Sequence, residues 1–92
     1  MAMAVATLTP HSVFYYNRLM VEQRVTIYIQ NGSATEPMYI RYSLGDPESG
    51  PELGVILSAI PPQSERVLSV PVASGDGLHT DQGGHFQILQ FH

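Results

Sequence analysis

With 92 residues the chain can bury one hydrophobic core and not two, so a single β domain over residues 1–92 is expected. Four arginines, no lysine and a net charge of −4 exclude the cationic field that nucleic acid requires, and disfavour an anionic membrane surface on the same ground. The absence of cysteine excludes disulfides, thiolate metal sites and cysteine nucleophiles together.

The first ten residues are apolar and too short to fold alone. Residues 1–10 therefore read as an extended N-terminal arm, with a short strand candidate at residues 4–8 inside it. They lack the basic start of a secretory signal. Thr9-Pro10 separates this stretch from a second short strand at residues 12–16, and residues 19–22 read as a helical turn. Residues 24–30 are the clearest strand: Val25, Ile27 and Ile29 point one way, and Arg24, Thr26, Tyr28 and Gln30 the other. Asn31-Gly32 tolerates positive φ and marks a reversal. Residues 38–44 resume the alternation, with Met38, Ile40 and Tyr42 opposing Tyr39, Arg41 and Ser43, so a hairpin with the preceding strand is expected. Residues 45–51, rich in proline and glycine, are a loop.

Residues 53–60 are apolar on both faces, the pattern of a strand covered on both sides or lying against a partner. Pro61-Pro62 stops it. Over residues 65–72, Leu68, Val70 and Val72 face one way, and Pro71 on the opposite side points to an edge. Residues 73–84 are polar and glycine-rich and read as a second long loop. The last strand, residues 85–91, sets Phe86 and Ile88 against Leu89 and Phe91. The fold expected is all-β: a single antiparallel β-sandwich or jelly-roll-like barrel of about seven short strands.

Catalytic chemistry finds little footing. His79 and His85, with Asp76 and Asp81, offer two imidazoles and two carboxylates in the stretch read as a loop, but their spacing matches no established metal site. No metal or cofactor is expected. Ser12 follows His11 and Thr80 follows His79, yet adjacent strand residues face opposite ways, which is the wrong geometry for proton transfer. Glu36, Glu48 and Glu52 read as solvated acids. Asn31-Gly32-Ser33 matches a glycosylation acceptor and reads better as turn chemistry. A non-enzymatic protein is the expectation. Charged residues are 13% of the chain, about half the usual share, so a partner is expected to cover part of the surface. Tyr15, Tyr28, Tyr39 and Arg41 are the candidate interface residues, because tyrosine and arginine combine contact area with hydrogen-bonding tips.

The run Val25-Thr26-Ile27-Tyr28-Ile29-Gln30-Asn31-Gly32-Ser33, followed by Pro37-Met38-Tyr39-Ile40-Arg41-Tyr42-Ser43-Leu44-Gly45, resembles small bacteriophage virion structural proteins. Val55-Ile56-Leu57, Pro61-Pro62 and residues 67–72 continue the similarity. The resemblance implies a β-sandwich or jelly roll that decorates or cements a phage head. Its partners would be the major capsid protein or other virion subunits and further copies of itself, as a homo-oligomer, specifically a trimer. Such a protein is located in the virion after assembly in the host cytoplasm. The alternative expectation is a receptor- or carbohydrate-binding module of the tail or adhesion type, using the loops at 45–51 and 75–84.

Overall fold

The computed structural model describes residues 5–45 and 54–92. Eight strands follow one another: β1 (Ala6–Leu8), β2 (Ser12–Tyr16), β3 (Gln23–Asn31), β4 (Met38–Ser43), β5 (Val55–Ile60), β6 (Glu65–Val72), β7 (Gly77–Thr80) and β8 (Gly84–Phe91). They form two four-stranded antiparallel sheets, ordered β1-β8-β3-β6 and β2-β7-β4-β5. Every connection except β4 to β5 crosses from one sheet to the other. This is the strand order of an eight-stranded jelly roll, which settles the choice left open between a plain sandwich and a jelly roll.

The core lies where the alternation of β3 places it. Val25, Ile27 and Ile29 are fully buried and face Met38 and Ile40 of β4, Ile60 of β5 and Leu78 of β7, with Leu8, Val70 and Val72 closing the sides. Phe14 and Phe86 pack at 5.3 Å between the sheets at the β1/β2 side. As the proline predicts, β6 is an edge strand, paired only with β3. Pro61-Pro62 ends β5 in a tight turn, where Ser64 N–H donates to the Pro61 carbonyl and Gln63 takes φ 57°.

Several expectations need correction. The hairpin between residues 24–30 and 38–44 does not form. Both edges of β3 are filled, by β6 and β8, so the chain leaves that sheet and β4 packs across the core instead. The supposed loop at 73–84 contains β7, buried throughout and paired on both edges with β2 and β4. Position replaces composition here: a central strand flanked on both edges needs few apolar residues of its own to be buried. Eight strands thus replace seven. Residues 19–21 form bends, residue 22 is irregular, and there is no helical turn. A bulge in β8 between Ile88 and Gln90 turns Phe91 to the same side as Phe86 and Ile88, because the extra residue Leu89 shifts the alternation by one.

Of the stretch read as an arm, Ala6–Leu8 are β1, paired with β8. Residues 1–4 and the loop residues 46–53, including Glu48 and Glu52, lie outside the described residues. Strand β5 is not covered on both sides. It is an edge strand, paired only with β4, and its first three side chains are exposed.

Candidate functional site

The four candidate interface residues do not form one patch. Tyr28 stands on the outer face of the β1-β8-β3-β6 sheet, where its hydroxyl donates to Glu65 on β6. Tyr39 and Arg41 stand on the outer face of the other sheet, two residues apart on β4, with the guanidinium 6.0 Å from the ring centroid. Tyr15 turns toward the core, with its ring 6.0 Å from Phe91. Because β3 and β4 belong to opposite sheets, Tyr28 and Tyr39 do not stand side by side. Tyr39 and Arg41 are the only two of the four that the fold brings together.

The candidate metal ligands are likewise dispersed. His79 lies on β7 of one sheet and His85 on β8 of the other. Asp76 is engaged by the Tyr42 hydroxyl at 2.6 Å and the Gly45 N–H at 2.8 Å, and Asp81 accepts from the Tyr39 N–H at 2.8 Å. Among the described residues no group of three or more His, Asp or Glu is placed to hold a metal ion. His92 meets Thr26 Oγ1 at 3.1 Å, and His11 occupies the β1–β2 turn at φ 58°. Ser12 donates not to its neighbour His11 but to the Thr9 carbonyl. The serine that does meet an imidazole is Ser43, whose Oγ lies 2.7 Å from His79 Nδ1. At 4% and 2% exposure this pair is closed to substrate, and it ties β4 to β7. Adjacency in sequence missed it because the two residues come from neighbouring strands.

Asn31 is buried, and its amide donates to the carbonyls of Glu36, Ile60 and Pro61, so this acceptor motif is a structural bridge inside the fold. The receptor-type alternative loses much of one recognition loop, since residues 77–80 are the buried strand β7.

Tyr42 organises the end of the sandwich. Its hydroxyl donates to Asp76 and accepts from the Ala73 N–H at 2.9 Å. Burial, and then the hydrogen bond to Asp76, raises its pKa above the ordinary 10.0. The protonated phenol is therefore favoured in the folded state. Its contribution is complete below the unfolded value and is lost as pH rises through the raised folded value. Tyr42→Phe is expected to cost about 1–2 kcal/mol at neutral pH by leaving Ala73 N–H and Asp76 short of a partner. Urea melts from pH 8 to 11 should also show a shallower alkaline loss in the variant. Equal slopes would mean that Tyr15 and Tyr28, whose pKa values burial and the Glu65 hydrogen bond respectively also raise, dominate that limb.

Two exposed apolar surfaces stand out among the described residues. Beside β2, a shallow cleft of about 440 Å³ runs between Tyr15, Arg18, Leu19 and Phe91, next to the fully projecting Met20. At the opposite side of the sandwich, β5 presents Val55, Ile56 and Leu57 at 67%, 49% and 41% exposure along an edge with no strand beside it among the described residues. Residues 53–60 already carried this signal, in a run apolar on both faces; whether it meant double cover or an open edge depended on strand order. No protein-family model, no curated protein and no solved structure matches the chain, so the functional reading rests on the strand order and on these surfaces.

Proposed function

We propose that the chain is a non-enzymatic virion structural protein, a decoration or cement subunit of a phage head that acts through protein–protein contacts and as a homo-oligomer. The observation that carries this reading is the open apolar edge of β5: Val55, Ile56 and Leu57 stand in solvent on a strand without a single charged residue. Soluble monomers blunt such edges with lysine, proline or cover, because an unpaired apolar strand recruits another chain. A subunit built to be covered in an assembly needs no such protection. Jelly rolls recur in viral capsid proteins, which agrees with the reading by analogy of fold alone.

The test is mass spectrometry of density-purified particles from the source culture. Trypsin cuts this lysine-free chain after Arg24, Arg41 and Arg66, so the peptides at 25–41 and 42–66 report it directly. Their recovery from particles in amounts comparable to known capsid subunits is expected. Recovery only from the soluble fraction of the lysate would sink the proposal.

A further inference from the structure

The four sheet edges are not alike. Strand β1 has three residues, and β2 has five with an irregularity at Phe14. Strand β6 carries Glu65, Arg66 and Pro71. Each of these is blunted by shortness, a bulge, charge or proline. Strand β5 has six residues, Val-Ile-Leu-Ser-Ala-Ile, with no charge and no proline. Its one irregularity falls at Leu57, which has no opposite number on β4 between the pairs Arg41–Ile56 and Ile40–Ser58.

We infer that β5 is the contact through which two copies of this chain associate, edge to edge and antiparallel about a two-fold axis, joining their β2-β7-β4-β5 sheets into one continuous sheet. The inference rests on the structural-subunit reading and names the partner of that surface. The bulge makes the self-pairing consistent in facing. Ile56 and Ala59 pair with the outward residues Arg41 and Tyr39, whereas Val55, Ser58 and Ile60 pair with positions on the core side. An axis between Leu57 and Ser58 sets Ile56 opposite Ala59 of the second copy, and Val55 opposite its Ile60. Like faces meet like faces, and a large side chain meets a small one on the outside.

Charge favours a second copy over a broader contact. Each chain carries a net charge of −4, so an extended face-to-face interface between copies is repulsive, while the uncharged strip brings no like charges opposite one another. Area sets the strength. A strand of six residues is about 20 Å long, and the exposed parts of the three apolar side chains supply on the order of a third of the ~800 Å² per partner that a stable interface buries. Tyr39 and Arg41 of β4, opposite Ala59 and Ile56, border the strip on its inner side. The contact is therefore a reversible one that forms as concentration rises, and it is reinforced where many copies are held on a shared surface.

Light scattering on the eluting full-length chain, over a hundredfold range of concentration, should show the mass rising from one copy toward two. Because a two-fold contact contains each substitution twice, tenfold per copy makes Ile56→Lys raise the midpoint about a hundredfold. Ala59→Lys, outward on the same strip, should do likewise. Val67→Lys, at the exposed apolar residue on β6, should leave the midpoint unchanged, and thermal melts establish that each variant is folded. A monomer throughout, a trimer, or a dimer insensitive to both β5 lysines would overturn the inference. Particle-bound chain without the β5 dimer removes only the pairing, and a β5 dimer absent from particles removes only the virion role.

Discussion

The Gly84→Ala chain is expected to lose about 3 kcal/mol or more of folding stability, since an added Cβ there makes the closest backbone approach of any described glycine. Gly84 opens β8 where three backbones converge: it pairs with Leu8 of β1 on one side and Asn31 of β3 on the other. A Cβ built there stands 2.0 Å from the Gln30 carbonyl oxygen and 3.0 Å from the Gly32 nitrogen, both main-chain atoms that cannot step aside. The β3–β8 ladder must open to admit it, and β3 is the strand on which the core is built. Total stability for a domain of this length is on the order of 5–14 kcal/mol, so the loss is a large fraction of the whole. The neighbouring Gly83 is the control. Its nearest atom to an added Cβ is 3.6 Å away, and Gly83→Ala should change stability by no more than about 0.5 kcal/mol. Guanidinium melts of the two variants decide the matter: similar midpoints would show that β8 does not approach β3 this closely.

The second large effect is expected at Asn31. Its Oδ1 accepts the Ser33 N–H at 2.9 Å, and its Nδ2 donates to Glu36, Ile60 and Pro61 at 2.8, 3.1 and 3.3 Å. One buried side chain thus holds the turn after β3 and crosses to the end of β5 in the opposite sheet. Asn17 repeats the device before β3, accepting from Leu19 N–H and donating to the carbonyls of Val21 and Val72. The chemistry demands an amide: the oxygen fixes the local turn and the nitrogen satisfies distant carbonyls. Asn31→Ala should cost about 3 kcal/mol, since stranded buried carbonyls cost about 1–3 kcal/mol each and water can reach some of them. Asn31→Asp separates the two roles. It retains the acceptor for Ser33 but sets a carboxylate against carbonyl oxygens, which raises its folded pKa. The neutral acid is then the stabilised form, and the deficit should shrink as pH falls through the carboxyl range. A variant equally unstable from pH 7 to pH 4 would show that the donor, and not the charge, is all that matters.

Residues 24–30 and 65–72 were legible as strands because each has one buried and one solvent-facing side, which imposes a period of two on Val25, Ile27, Ile29 and on Leu68, Val70, Val72. The stop at Pro61-Pro62 and the edge position of the Pro71 strand followed from the missing N–H of proline. Among the candidate interface residues, the shared face of Tyr39 and Arg41 is a consequence of the same period. Alternation states which side of a strand is buried. It does not state which strand lies beside it, and there the tertiary structure decided. Tyr28 is separated from Tyr39 because β3, filled on both edges, sends β4 to the opposite sheet. Strand β7 was invisible because only Leu78 among its four residues is a large apolar side chain; it is buried by β2 and β4 on its edges, and both are distant in sequence or separated from it by other strands. Bulges at Leu57 and Leu89 reversed the facing beyond them, a change that a period counted along one strand cannot register. The run at 53–60 announced an apolar strand in need of cover. That no second strand lies beside it among the described residues follows only from β5 being last in its sheet, since sheet order is set by long-range pairing and not by the residues of the strand itself.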